Sequence, residues 1–331
     1  MIAKYNAKIS GTGHYVPDKI LNNFDLEKIV DTTDEWIRTR TGMFERHIAA
    51  DDQAVSDLSY EAAQLALESA GIKAKDLDMI IIASVSNDHM FPSTACILQK
   101  MLGIKNIPAF DISAGCTGWI YGSNIAKQYI ENGIAKHILV IGVEILSKIT
   151  NWEDRGTCVL FGDGAGATII SRSENKDISR FIDSKITADG TYYDLLIQQA
   201  GGSRMPASKE SVEKNLHTVY MEGNKIFKQA VKSMYSACDT VLKRNNMNIK
   251  SIDWLITHQA NLRIIEALGK KLRIDNDKVI VNIEKYANTS AATIPIALDE
   301  VIRNGKVRHG DIILTASFGA GLTSGSLLFR L

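Results

Sequence analysis

The chain has 331 residues, enough for two domains or one large duplicated domain, and 45% of them are hydrophobic and 23% charged. Its 38 basic and 38 acidic residues give a formal net charge of zero, which excludes a global field attracting nucleic acid or an anionic membrane. No apolar run reaches transmembrane length, and residues 1–8 lack a signal-peptide core, so we expect a cytoplasmic protein with no membrane partner. The four cysteines show no disulfide or zinc spacing, and no metal site is expected.

The first half of the chain alternates strand patterns with helix patterns. Apolar runs and alternation predict strands over residues 7–15, 79–85, 107–112, 137–143 and 167–171. Helical spacing predicts helices over residues 24–30, 58–70, 91–102 and 121–131. This alternation indicates an α/β fold with a largely parallel sheet.

The second half repeats the order of the first. Residues 251–256 resemble 76–81, residues 311–314 resemble 137–140, and the turn at 318–321 resembles the turn at 161–164. Such a repeat predicts two related halves packed about a pseudo-twofold axis, which we divide as 1–175 and 176–331. Residues 200–213 are predicted to be a loop, and further helices are predicted to begin near residue 261 and over 294–302.

Cys116 lies in a Gly-Cys-Thr-Gly turn between a predicted strand and a predicted helix. Free N–H groups and the positive end of a helix dipole favour a thiolate, so we expect a lowered thiol pKa and a nucleophilic role. The alternative is inert packing, which is common for free cysteines. Cys96, Cys158 and Cys238 fall in apolar helix or strand patterns and are predicted to be core residues.

Three other positions are candidate partners for a reactive cysteine or for its substrate. His258 directly follows a predicted buried strand, where α/β proteins collect ligands; the alternative, favoured for an isolated histidine, is a side chain satisfied by neighbouring backbone. Asn288 precedes a predicted helix and by spacing alone is its N-cap. Trp36 stands beside arginines, which suits either a planar phosphorylated ligand or a simple anchor for a surface helix.

Taken together, several ordered motifs resemble the β-ketoacyl-acyl-carrier-protein synthase III family of the thiolase-like superfamily. The resemblance covers essentially the whole chain and rests on Asp34-Glu35-Trp36-Ile37, Thr39-Arg40-Thr41-Gly42, Cys116 in its turn, Asp154-Arg155-Gly156-Thr157, Phe161-Gly162-Asp163-Gly164-Ala165-Gly166, His258-Gln259-Ala260-Asn261, Asn288-Thr289-Ser290 and Phe318-Gly319-Ala320-Gly321. It implies a five-layered αβαβα fold built from two duplicated halves, and a homodimer. It also implies condensation of a short acyl-CoA with malonyl-acyl-carrier protein, without a cofactor, to initiate fatty acid biosynthesis.

The resemblance also implies roles for individual residues. It assigns Cys116, His258 and Asn288 to catalysis, with the backbone N–H groups of Cys116 and Ala320 as oxyanion donors. Substrate and CoA binding fall to Thr32, Trp36, Arg40, Arg155, Gly156, Phe161, Gly223, Phe227, Ala260, Asn261 and Phe318. Phe91 is expected to reach the partner subunit's acyl pocket. An acidic carrier protein is expected to dock on Lys228, Arg263, Lys270 and Lys271, which otherwise form a solvated basic face.

Other functions remain open at this level. A relative with the same catalytic residues would prime secondary metabolism with another acyl-CoA. A non-catalytic scaffold would be expected to lack Cys116, His258 or Asn288, and all three are present. A 3-hydroxy-3-methylglutaryl-CoA synthase would need a glutamate base, which Asn87-Asp88-His89 does not offer.

Overall fold

The computed structural model describes residues 4–173 and 177–331. Within these ranges the strands are β1 (Asn6–Tyr15), β2 (Lys19–Asn22), β3 (Glu45–Ile48), β4 (Met79–Ala83), β5 (Ala109–Ile112), β6 (His137–Glu144), β7 (Gly164–Ser173), β8 (Arg180–Ala188), β9 (Leu196–Gln198), β10 (Val219–Met221), β11 (Trp254–Thr257), β12 (Val279–Ile280), β13 (Ile312–Gly319) and β14 (Thr323–Arg330). The α-helices are α1 (Asn23–Leu26), α2 (Asp34–Thr41), α3 (Val55–Ala70), α4 (Thr94–Met101), α5 (Gly118–Glu131), α6 (Arg155–Cys158), α7 (Lys209–Glu213), α8 (Gly223–Arg244), α9 (Leu262–Leu272), α10 (Ile283–Tyr286) and α11 (Thr293–Arg303).

Two five-stranded sheets carry the same topology. The first has the order β1-β7-β6-β4-β5, and the second has the order β8-β14-β13-β11-β12. In each sheet the first two pairings are antiparallel and the last two are parallel. The predicted repeat is therefore confirmed strand by strand, because β4, β6 and β7 occupy the places of β11, β13 and β14. The predicted boundary at 175/176 lies outside the described residues.

Three hydrophobic clusters hold the five layers together. In the central cluster, α5 and α11 pack between the two sheets, with Ile120 and Leu298 among its fully buried side chains. A second cluster packs α3 and α4 on the outer face of the first sheet, and a third packs α8 and α9 on the outer face of the second. This confirms the expected αβαβα layering, in which apolar strands covered on both faces read as continuous hydrophobic runs.

Several local predictions differ from the structure. The helix predicted over 91–102 begins only at Thr94, because Phe91 precedes Pro92 and such residues disfavour helical backbone. The helix predicted over 24–30 is α1 alone, capped by Asn22 and followed by turns. The predicted 200–213 loop ends in α7, whose N-cap is Ser208. Cys158 and Cys238 are buried as predicted, but Cys96 is exposed because it lies on the outward face of α4.

The described helices also bear on membrane insertion. None of those in residues 4–173 and 177–331 is long and apolar enough to cross a bilayer.

Candidate active site

A pocket of about 710 Å³ opens between the two halves of the chain. Exposed residues line one part of it and buried residues the other, so it runs from the surface into the interior. The predicted residues that it brings together are Trp36, Arg40, Cys116, Gly156, Phe161, Gly223, Phe227, Lys228, His258, Ala260, Asn261, Arg263, Asn288 and Phe318. Its volume and largely apolar lining are those of a small-molecule site.

One wall of this pocket, on α8, was not predicted from the sequence. Ile226, Ala230 and Met234 line it from successive turns of that helix. Their i, i+4, i+8 spacing was visible in the sequence, but such a stripe marks core packing as readily as a ligand wall. The structure is needed to tell that this apolar stripe lines a pocket as well as packing against the core.

Cys116 stands in a short 3₁₀ turn, Gly115–Thr117, that leads directly into α5. Gly115 has φ +53°, and a Cβ there would lie 2.6 Å from the Ala320 nitrogen. A Cβ on Gly319 would lie 2.4 Å from the Cys116 nitrogen. Two glycines thus allow the Cys116 turn and the end of β13 to approach closely, bringing the predicted oxyanion donors side by side.

The expectation of a lowered thiol pKa is wrong for Cys116. Burial raises the pKa of this thiol to about 12, although a hydrogen bond with the Ser290 side chain opposes the rise. Desolvation disfavours the charged thiolate more strongly than the neighbouring donors favour it. A pKa raised to this extent favours the neutral thiol at physiological pH.

His258 follows β11 and is held from two sides. Its backbone N–H donates to the Ala316 carbonyl (2.8 Å), and its ring Nδ1 lies 2.8 Å from the Thr293 hydroxyl. That hydroxyl also lies 3.0 Å from the Ser290 carbonyl, so its single proton has two acceptors within reach. Burial lowers the pKa of His258 to about 3, so the ring is neutral at physiological pH.

Asn288 does not cap the helix that follows it, because the N-cap of α11 is Ala292. Its backbone forms two hydrogen bonds with the segment between α6 and β7. The Asn288 N–H donates to the Leu160 carbonyl, and the Asn288 carbonyl accepts from the Gly162 N–H. Its Oδ1 accepts the Ser290 N–H at 2.9 Å, which leaves Nδ2 as the donor available to the pocket. The alternative of a simple helix cap is therefore excluded.

Trp36 and two arginines form the outer part of the site. Thr33 caps α2, and the guanidinium carbons of Arg40 and Arg155 each lie 5.0 Å from the Trp36 ring centroid. Arg155 also donates to the Asp31 carbonyl at 2.8 Å. A ring stacked between Trp36 and Arg155 needs roughly 3.5 Å on each side, so the arginine has to move outward to admit one. Among the described residues the Thr32 hydroxyl has no hydrogen-bond partner although it is buried, which suits a ligand contact.

The remaining predicted residues lie apart from the pocket. Lys270 and Lys271 are exposed at the far end of α9, roughly 10 Å along the helix from Arg263. Phe91 is 86% exposed beside Met90 and does not line its own chain's pocket. Within the ranges that the structure describes, no three histidine, cysteine or acidic side chains gather as a metal ion would require.

Two family models match the chain. One, described as 3-oxoacyl-[acyl-carrier-protein (ACP)] synthase III, matches residues 110–190, and its C-terminal counterpart matches residues 242–331. A beta-ketoacyl-[acyl-carrier-protein] synthase III of Caldanaerobacter subterraneus subsp. tengcongensis is 58% identical over 330 residues, covering 100% of this chain and 99% of that protein.

Solved structures agree with these matches. The crystal structure of 3-oxoacyl-[acyl-carrier-protein] synthase III from Aquifex aeolicus has a TM-score of 0.90 and 47% identity, covering 98% of this chain and 100% of that one. The priming beta-ketosynthase of a polyketide biosynthetic pathway has a TM-score of 0.91 but 29% identity, covering 100% of this chain and 98% of that one.

Proposed function

Because the chain belongs to the 3-oxoacyl-[acyl-carrier-protein] synthase III family, we propose that it condenses a short acyl-CoA with malonyl-acyl-carrier protein. The products are a 3-oxoacyl-acyl-carrier protein, CoA and carbon dioxide, and the reaction is the first condensation of fatty acid biosynthesis. Acetyl-CoA is the expected acyl donor. One observation carries the proposal: Cys116, His258 and Asn288, distant in sequence, line a single pocket.

The first half-reaction acylates Cys116. Its sulfur attacks the thioester carbonyl carbon of the acyl-CoA, and the carbonyl oxygen becomes an oxyanion. The backbone N–H groups of Cys116 and Ala320, adjacent because Gly115 and Gly319 carry no side chain, donate to that oxygen. Collapse of the tetrahedral intermediate releases the CoA thiolate and leaves the acyl group on the enzyme.

The second half-reaction uses the two other side chains. Asn288 Nδ2 and His258 Nε2–H donate to the malonyl thioester oxygen, where negative charge builds as carbon dioxide leaves. This role requires the Thr293 hydroxyl to donate to His258 Nδ1, which places the ring proton on Nε2. The resulting enolate carbon attacks the acyl carbonyl carbon and expels the Cys116 thiolate.

The outer pocket is proposed to bind CoA and then the carrier protein. Trp36 and Arg155 would hold the adenine between them, and Arg40 a phosphate, with Thr32 and Gly156 beside them. Lys228 and Arg263 flank the same opening and suit an acidic carrier protein. Lys270 and Lys271 are remote from the opening, so they contribute less than Lys228 and Arg263 to carrier-protein docking.

The assembly and its location follow from the same proposal. The exposed Met90 and Phe91 support a homodimer in which Phe91 enters the partner's acyl pocket, because a second copy would remove these two adjacent apolar side chains from water. The proposed substrates place the enzyme in the cytoplasm.

A condensation assay tests the function. Purified protein with acetyl-CoA and malonyl-acyl-carrier protein should yield carbon dioxide and the 3-oxoacyl product. The priming enzyme of secondary metabolism is the weaker candidate, since identity is 58% with the synthase III relative and 29% with the priming ketosynthase. A clear preference for a longer or branched acyl-CoA, or for malonyl-CoA over the malonyl-carrier protein, would favour that alternative.

A further inference from the structure

Ser290 contacts every member of the catalytic triad, directly or through one neighbour. Its N–H donates to Asn288 Oδ1, and its carbonyl lies 3.0 Å from the Thr293 hydroxyl that meets the His258 ring. Its hydroxyl lies near enough to the Cys116 thiol to lower the pKa of that thiol, against the opposite effect of burial. Ser290 also has φ +49°, a left-handed conformation that non-glycine residues disfavour, so the surrounding fold holds this turn in place.

The Ser290 hydroxyl continues to a buried carboxylate. It donates to Oε1 of Glu144 at 3.0 Å. Glu144 is the last residue of β6 and is completely buried. The other groups that face this carboxylate are neutral donors and one thiol: the Ser84 hydroxyl (3.2 Å), the Ser86 hydroxyl (2.5 Å), the Val85 N–H (3.1 Å) and Cys116. Burial raises the pKa of Glu144 to about 7, so the carboxyl can exchange a proton near neutral pH.

The proposed half-reactions leave this carboxylate unused, yet they need a proton acceptor. Cys116 is a neutral thiol at rest and has to lose its proton as it attacks. His258 is not available, because its Nε2 carries the proton that is donated to the malonyl oxygen. The groups near the thiol that can relay its proton are instead the Ser290 hydroxyl, which opposes the rise of the Cys116 pKa, and Glu144, whose Oε1 lies 3.0 Å from that hydroxyl.

We propose that Glu144, acting through the Ser290 hydroxyl, is the base that takes the Cys116 proton during acylation. This inference rests on the proposed function. As the sulfur bonds to the acyl carbon, the Cys116 S–H bond breaks and its proton moves to Ser290 Oγ, while the Ser290 O–H proton moves to Glu144 Oε1. The leaving CoA thiolate takes its proton from water.

The same path resets the enzyme. Condensation expels the Cys116 thiolate, which takes a proton back from Ser290 Oγ as Glu144 returns its own proton to that oxygen. The charge also balances. When the malonyl carboxylate leaves as neutral carbon dioxide, its negative charge passes to the Cys116 thiolate and then to Glu144. Glu144 therefore stores the thiol proton while the enzyme is acylated.

This relay is tested by measuring single-turnover acylation by acetyl-CoA from about pH 6 to 9. Each reaction is quenched, and the acylated fraction is read from the intact protein mass. The wild-type rate constant should rise as Glu144 ionises and then level off. Ser290→Ala keeps both backbone contacts of the residue, and we expect its acylation at pH 7 to slow by about 10²-fold. Its rate should then rise about tenfold per pH unit without a plateau, because the thiol must now lose its proton to solvent. Glu144→Gln should behave alike, and the double variant should be no slower than the slower single one.

Ser84→Ala is the matched control, since it removes a hydrogen bond to the same carboxylate but leaves the path to Cys116 intact. It should keep the wild-type plateau. Thermal unfolding and acetyl-CoA affinity, unchanged in Ser290→Ala, confirm that this variant is folded. A wild-type rate and plateau in Ser290→Ala would overturn the relay, as would an equal loss at every pH. A wild-type protein that no acyl-CoA acylates would instead overturn the proposed function itself.

Discussion

The Asn288 amide is fixed in one orientation because its Oδ1 accepts the Ser290 N–H. Removal of the remaining donor, Nδ2, should cost about 10²–10³ in condensation rate. We therefore expect Asn288→Ala to form acyl-enzyme from acyl-CoA at close to the wild-type rate while carbon dioxide release from malonyl-acyl-carrier protein falls by about that factor. Burst acylation and carbon dioxide release are measured separately.

Asn288→Asp is the control for this experiment. It keeps an acceptor for the Ser290 N–H but offers no donor to the malonyl oxygen. It should match Asn288→Ala in condensation and the wild type in acylation. If Asn288→Ala blocks acylation and Asn288→Asp does not, the residue acts by holding the Ser290 turn, and the division of labour between the half-reactions is wrong.

The sequence and its family resemblance predicted Cys116, His258 and Asn288, and the structure brings all three to one pocket. Each follows a strand or precedes a helix, so local pattern and motif sufficed to select them. Glu144 and Ser290 were not predicted, because their hydrogen bond joins positions 146 residues apart. The thiol pKa was predicted in the wrong direction, since burial by distant segments outweighs the local helix end.

At the scale of single elements, α2 places Trp36 in the outer pocket. Stacking or cation–π contact of this kind contributes roughly 0.5–2 kcal/mol. Trp36→Ala should therefore raise the acyl-CoA KM by about two- to thirtyfold, with little change in malonyl decarboxylation. Arg38→Ala, on the same helix but facing Phe44 outside the pocket, is the control. An unchanged KM in Trp36→Ala would remove this side chain from the CoA site.

Helix α9 separates the predicted basic residues into two groups. Arg263, in its first turn, lies at the pocket opening, whereas Lys270 lies in its last turn. Arg263→Glu should raise the carrier-protein KM, and added salt should raise the wild-type KM in the same direction, because exposed charges are screened. Lys270→Glu should have a smaller effect. Equal effects of the two charge reversals, or a carrier-protein KM that does not change with salt, would place carrier-protein docking elsewhere.

Element boundaries show where local pattern fails. The buried strands were predicted well, because runs such as residues 137–143 are apolar throughout and the structure buries them on both faces. The start of α4 was misplaced because the apolar pattern of 91–102 continues through Pro92, which the helix excludes. The pocket wall on α8 was missed because its apolar stripe is also that of a core helix.

At the scale of the whole molecule, the duplication places residues proposed for catalysis in opposite halves. Cys116 follows β5 in the first sheet, and His258 follows β11 in the second. The repeat was predicted from three pairs of similar segments, because equivalent strands carry similar apolar runs. A site shared by the two halves was implied only by the family resemblance, because no local pattern encodes how two duplicated units face each other.

Glu144 links the fold to pH. Its folded pKa of about 7 exceeds its ordinary value of 4.5, so the folded chain retains a proton that the unfolded chain releases. The resulting stabilisation is full below about pH 4.5 and is lost as pH rises through 7. Relative to the wild type, Glu144→Gln should therefore gain unfolding free energy between these values, on the order of 3 kcal/mol. Urea unfolding at several pH values measures it; a pH-independent difference would contradict the raised pKa.

The central claim is that Cys116 carries the acyl group, and intact-protein mass spectrometry after incubation with short acyl-CoAs tests it most directly. The wild type should gain one acyl mass, located by peptide mapping on the Cys116 segment, and Cys116→Ser should gain none. Cys96 is the internal control, because it is an exposed free thiol outside the pocket. Acyl mass on Cys96 in the wild type, or acyl mass remaining on Cys116→Ser, would contradict the assignment of the nucleophile.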